Sequence, residues 1–222
     1  MDLSQALPNR IRQGMDRVST VLRADQWSAA QIVGLNPTQI SVLGLLAGRG
    51  TNGVKVKDIA HHLGVSQPTA TDSIAALERK SCVQKLASSD DARTTRVRIS
   101  GGGRKLLKTV GLVTSATEKS IARLSTLEQA DLLLLLVKLI RQLQLADAIP
   151  MQRMCVSCKH FRPYIHGGAV NPHHCAFVNA AFGNRDLRID CDDHDTADPA
   201  IQAATWSAFT NGSDNLQATQ PN

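Results

Sequence analysis

The sequence predicts a mainly α-helical chain of α+β type, on three observations. Apolar residues recur at helical spacing over several long stretches, two short runs alternate apolar and polar residues around a charged tip, and a cysteine-bearing segment of different composition follows. The 222 residues suffice for one sizeable domain with an appendage, or for two small domains. Hydrophobic residues make up 42% and aromatic ones only 3%, so the core must be built from Leu, Val, Ile and Ala.

Leu7, Ile11, Met15, Val18, Val21 and Leu22 mark a helix from about residue 3 to residue 32, with Pro8 near its start, where a helix tolerates it. Asn36-Pro37 reads as an N-cap followed by proline at the first helical position, which opens a second helix to about Ala47. Gly48, Gly50 and Gly53 end it, and Val54-Lys55-Val56 is a short strand. A short helix over Lys57–Leu63 stops at Gly64, and Ser66 caps another over Gln67 to about Lys80. Val83–Ala87 and Arg96–Ser100 form a hairpin around the polar tip 88–95. Gly101-Gly102-Gly103 is expected to loosen the join to a long helix over about 104–124. Ser125 or Thr126, with Glu128 and Gln129 at capping-box spacing, starts a last helix to about Ala146. Its leucines cover too much of the circumference for a surface helix, so it belongs in a core or a dimer interface.

The net charge of +6 is uneven: residues 1–150 hold 20 Lys/Arg against 12 Asp/Glu, and residues 151–222 hold 5 against 7. A basic first part suits a polyanion such as nucleic acid. Met1–Arg10 is polar and no apolar run follows it, and the longest run, Leu132–Val137, is far too short to span a bilayer. The expectation is a cytoplasmic protein with no membrane partner. In that reducing compartment, clustered cysteines point to metal or redox chemistry rather than disulfides.

Residues 57–80 have the pattern of a helix-turn-helix, with Gly64-Val65-Ser66 as the turn and Ile59, Ala60, Leu63, Val65, Ile74 and Leu77 where two crossed helices pack. Its second helix would present Ser66, Gln67, Pro68, Thr69, Thr71, Asp72 and Ser73 to base edges of duplex DNA in the major groove. Leu77-Glu78-Arg79-Lys80, Val83-Gln84-Lys85, Asp91-Ala92-Arg93, Arg96–Ser100 and Gly103 together resemble the signature of the MarR family. The resemblance covers roughly residues 1–147. It implies a winged helix-turn-helix transcriptional regulator, a repressor in the first instance. It also implies a homodimer through long N- and C-terminal helices, and an interface that can hold a small-molecule effector. By matching position, Arg93 is the wing-tip residue for the minor groove and Asp91 its orienting partner. Arg96 and Arg98 alternate along one face of the wing. Cys82 stands where the family often has glycine, and reads as a buried small hydrophobe. The expected division is 1–36 dimerisation helix, 37–103 DNA-binding domain, 104–150 dimerisation helices, 151–195 metal-binding segment and 196–222 flexible tail.

Cys155, Cys158, Cys175 and Cys191 form the added segment's motif: C-x2-C, sixteen residues, C, fifteen residues, C. Two thiolates on one tight turn with two further singles suit Zn²⁺ or an iron–sulfur cluster. His160, His166, His173, His174 and His194 could replace a thiolate on zinc. A zinc ribbon has a second C-x2-C, which is missing here. The spacing, with Phe161 three residues after Cys158, is similar to that of high-potential iron–sulfur proteins. That likeness, carried by spacing alone, implies a [4Fe–4S] cubane; a cluster there would make DNA binding sensitive to oxygen, redox state or iron supply, whereas zinc would be a structural clip or a zinc-level sensor. Asp190, Asp192, Asp193 and His194 beside the last cysteine leave open a metalloenzyme. No phosphate loop, nucleophile motif or H-E-x-x-H accompanies them.

Overall fold

A computed structural model describes residues 3–87, 95–167 and 170–217. The chain forms two compact units, Met1–Arg123 and Leu124–Asn222.

The first unit opens with α1 (Leu3–Ile32) and α2 (Pro37–Ala47), the latter started by a capping box between Asn36 and Gln39. Next come β1 (Val54–Lys55), α3 (Val56–Leu63) and α4 (Gln67–Arg79). β2 (Val83–Ala87) and β3 (Thr95–Ile99) complete an antiparallel sheet of order β1-β3-β2, with Val54 and Lys85 both paired with Val97. Val42, Leu43, Leu46, Ile59, Ile74, Leu77 and Val97 fill the core between α2, α3, α4 and the sheet. Cys82 is buried in that core, and burial raises its thiol pKa.

Two expectations fail beyond the hairpin. The three glycines do not loosen the join. They are the first turn of α5 (Gly101–Gly111), which Ser100 caps through the Gly103 N–H at 3.1 Å. The Ser100 hydroxyl also donates to the Ser81 carbonyl at 2.6 Å. The single helix expected over 104–124 is broken: α5 ends at Gly111, and α6 (Ala116–Ile121) restarts on a Ser115/Glu118 capping box. Asp25 of α1 holds that restart, accepting from the Thr117 hydroxyl at 2.6 Å and from the Thr117 and Ala116 N–H groups at 3.0 and 3.2 Å.

These bonds, the Thr117 hydroxyl foremost, lower the Asp25 pKa below its ordinary 3.8. The stability that goes with the lowered pKa is present above 3.8 and is lost as pH falls through the folded value. Acid titration of the first unit, followed by circular dichroism, is expected to lose part of its slope below pH 3.8 in Asp25→Asn. An unchanged acid limb would remove Asp25 from the account of this joint.

The second unit opens with α7 (Thr126–Leu145), capped by Ser125 and Glu128. β4 (Phe161–Arg162), β5 (His173–Cys175) and β6 (Ala180–Phe182) form a small antiparallel sheet in that order. The 196–222 tail, expected to be flexible, instead carries α8 (Pro199–Gln217). Phe209 on α8 is completely buried, so tertiary packing overrides a composition that reads as a polar tail. Leu134 and Val137 of α7 share a core with Met154, Val156, Phe161, Leu187 and Phe209, so α7 packs with the cysteine segment rather than apart from it. Among the described residues, no single helix is long and apolar enough to cross a membrane.

Candidate nucleic-acid interface and candidate metal centre

Gly64 ends α3 in the left-handed conformation, φ 63°, a turn that glycine adopts without steric cost. The chain then enters α4 through Ser66, whose hydroxyl accepts from the Thr69 N–H at 3.2 Å and lies 2.8 Å from the Thr69 hydroxyl. Ser66, Gln67, Pro68, Thr69, Thr71 and Asp72 are all exposed. Ser73 is not: it is buried at 7% exposure, on the face that carries Ala70, Ile74 and Leu77. The expectation that Ser73 faces bases is therefore corrected. Ser66 and Thr69 spend hydroxyl capacity on the cap, and Thr71 donates to the Gln67 carbonyl at 2.9 Å. Gln67 and Asp72 are the exposed groups with the widest choice of outside partners.

On the wing, Arg96 and Arg98 share the face opposite buried Val97 and Ile99. Arg96 donates to the Asn52 and Gly53 carbonyls at 2.8 and 2.9 Å, which ties β3 to the loop before β1. Arg98 donates to the Gln84 amide oxygen at 2.9 Å. Arg96 thus braces the wing as well as lying along it, a role its alternation did not reveal. Asp91 and Arg93 lie outside the described residues. Sequence reasoning also passed over Lys57 and His61, which are exposed and share one face of α3 by their four-residue spacing.

In the second unit, Cys155, Cys158, Cys175 and Cys191 all line one cavity of about 310 Å³. The C-x2-C turn is a 3₁₀ turn closed by the Cys158 N–H on the Cys155 carbonyl at 2.9 Å. Cys155 and Arg188 bond across the gap. The Cys155 N–H donates to the Arg188 carbonyl at 3.1 Å, and the Arg188 N–H donates to the Cys155 sulfur at 3.3 Å. Register pairs Cys175 with Phe161. The Cys191 N–H reaches the Arg153 carbonyl at 3.0 Å, and the Arg153 side chain clamps Asp190 at 2.6 Å and Asp192 at 3.3 Å. Burial pushes the Cys155 thiol up to about 11, and the other three cysteines add to the rise while the Arg188 N–H opposes it. Among the described residues, no three His, Cys, Asp or Glu side chains are placed to hold a single metal ion.

The histidines divide. His160 and His194 line the cavity, and His194 lies 3.0 Å from the Ser157 hydroxyl. His166 and His174 pair at 3.2 Å. His173 is fully buried: its Nδ1 accepts from the Tyr164 N–H, which leaves Nε2 to donate to Asn184 at 2.7 Å. Desolvation lowers its pKa, partly offset by the Asn184 bond. Phe161, Tyr164, Phe182 and Phe209 pack around that ring. Six of the chain's seven aromatic residues fall in this unit, a concentration that composition alone conceals. The Arg188 backbone contact has no sequence signal at all.

Residues 33–94 match the family model described as MarR family. Among solved structures, the chain is similar to Staphylococcus aureus MepR in its DNA complex, at 20% identity and TM-score 0.52 over 59% of this chain and 96% of that one. It is also similar to NadR in complex with 4-hydroxyphenylacetate, at 22% identity and TM-score 0.50 over 60% of this chain and 91% of that one. No curated protein matches the chain.

Proposed function

From the match of residues 33–94 to the MarR-family model, we propose that the protein is a sequence-specific DNA-binding transcriptional regulator of that family, acting in the cytoplasm as a repressor. The observation that carries this reading is the exposed first turn of α4, presented by the left-handed Gly64 turn beside an antiparallel hairpin. An α4 seated in the major groove would set Gln67 against an adenine edge and the Thr71 methyl against a thymine. The Arg93 tip and Arg98 would then follow the backbone and minor groove. MepR in its DNA complex has the same fold over the matched region, which supports the reading.

The working unit is a homodimer. Leu7, Ile11, Val18, Val21 and Leu22 form one exposed apolar stripe along α1, each at least 41% exposed. Leu132, Leu135, Leu139 and Leu143 form a second stripe on α7, at the 3–4 spacing by which helices of two copies interlock. A small-molecule effector is part of the proposal, since NadR was solved with 4-hydroxyphenylacetate. Modulation through a metal centre held by the four cysteines is a further part.

Duplexes selected from a random pool, titrated by fluorescence anisotropy, test the DNA reading. Gln67→Ala is expected to weaken binding to the selected duplex by roughly 10–100-fold, the value of one good base contact. Its unfolding midpoint should match that of the parent protein. Unchanged affinity would put the base contacts elsewhere.

A further inference from the structure

We propose that the second unit carries a carboxylate-binding site, in which Arg141 and Gln144 of α7, braced by Gln202 of α8, hold a short-chain monocarboxylic acid. The site lies outside residues 33–94 and stands independently of the DNA reading.

Leu134, Val137, Arg141 and Gln144 are the buried positions of α7. Their helical spacing puts a guanidinium on the face that otherwise enters the apolar core. Arg141 is only 4% exposed. A cation at that depth calls for a carboxylate beside it, because leaving water is costly for an uncompensated charge. Among the described residues no charged group acts on Arg141, and desolvation alone lowers its pKa. Its bonds go to neutral groups. Nη2 donates to the Gln202 amide oxygen at 3.0 Å, and Nη1 to that of Gln144 at 3.4 Å and to the Met151 sulfur at 3.2 Å. Gln202 is oriented by its own Nε2, which donates to the Ala197 carbonyl at 2.8 Å.

Two buried donors are left over. Nε of Arg141 and Nε2 of Gln144 are shielded from solvent and meet no acceptor among the described residues. They belong to side chains one turn apart that already touch through Nη1 and the Gln144 oxygen, so one ligand can answer both. Two donors and one positive charge define its chemistry. A carboxylate brings two acceptor oxygens and a single negative charge. Phosphate or sulfate brings four oxygens, and at this depth the surplus ones would lack donors. A water molecule would accept both bonds yet leave the guanidinium's charge uncompensated. The burial of Arg141, Gln144 and Gln202 together limits the acid to a short chain. Entry is past Met151, which touches Nη1, is 42% exposed, and has an unbranched side chain that can swing aside.

The test uses the full chain near neutral pH, with radiolabelled acetate as the probe in equilibrium dialysis against a sodium chloride background. Saturable uptake of a single acetate per chain is expected. Formate should displace it and inorganic phosphate should not. Arg141→Met is expected to abolish uptake. Gln144→Leu, which keeps the charge and removes the second donor, is expected to weaken it by roughly 10–100-fold. Arg185→Gln, a change at an exposed arginine, should leave it unchanged. Should Arg141→Met fail to fold by circular dichroism, Gln144→Leu carries the same point. Acetate should also raise the unfolding midpoint read from Trp206, with Trp27 changed to phenylalanine, where chloride at equal ionic strength does not. No saturable uptake, or uptake undiminished in Gln144→Leu, would overturn the site. Displacement by phosphate as readily as by formate would overturn its assignment to monocarboxylates.

Discussion

Replacing Phe209 by alanine is expected to destabilise the second unit by about 3–5 kcal/mol, the usual cost of deleting a buried phenylalanine. The ring is fully buried, with Phe161 at 5.8 Å in an edge contact, Tyr164 stacked at 6.1 Å, and His173 and Trp206 at 5.8 and 5.9 Å. Its removal opens a cavity under the sheet that positions Cys175, so the damage reaches the cysteine cavity. Trp206 lies at the site and reports the transition. With Trp27, the only other tryptophan, changed to phenylalanine, urea unfolding followed by fluorescence isolates this unit. A loss below about 1 kcal/mol would mean that α8 does not pack as described.

Gly103→Ala is the second large effect, because the added methyl has nowhere to go. It would collide with the Cys82 carbonyl oxygen and stand 2.9 Å from Cγ1 of Ile99 and 3.1 Å from Cδ2 of Leu43. The oxygen belongs to backbone at the start of β2, tied to Ser100 by the Ser100 N–H at 3.0 Å, so it cannot swing aside. Overpacking of this kind costs about 3 kcal/mol and lowers the melting temperature by on the order of 10 °C. Gly101, two residues earlier, has nothing within 4 Å of the equivalent methyl. Gly101→Ala is expected to stabilise the first unit by about 0.5–1 kcal/mol, because alanine restricts the unfolded chain. Calorimetry on the pair separates the two. If both variants stabilise, the close approach at Gly103 is not real.

Local chemistry was the legible part of this fold. Asn36-Pro37, Gly64, Ser66 and Ser125 with Glu128 mark helix ends through bonds made within three residues, so each could be read from its own neighbourhood. The Ser115/Glu118 box carries the same signal, and the break in the long helix could have been read from it. The Asp25 contribution, ninety residues away, could not. Ser73 was misassigned because the polar first turn was read as one surface, whereas helical spacing turns residue 73 inward beside Ala70 and Leu77. Arg96 looked like a free cation on an alternating strand, and only the fold brings the Asn52 and Gly53 carbonyls to it. The four cysteines were visible by spacing, but the common cavity depends on Arg188, Arg153 and three phenylalanines from separate strands and loops. α7 reads as too apolar for a surface helix; the fold buries its Leu134 and Val137 and leaves Leu132, Leu135, Leu139 and Leu143 exposed, a division that is a tertiary property.

The central claim is that α4 and the wing read a specific duplex. The most direct measurement is the affinity of the full protein for its selected duplex and for a scrambled one, between 50 and 200 mM salt. Both affinities are expected to fall steeply with salt, as phosphate contacts require. The selected duplex should stay at least about 1,000-fold tighter throughout, with two chains bound per site. Equal affinity for the two duplexes at every salt concentration, or no binding to either, would contradict it.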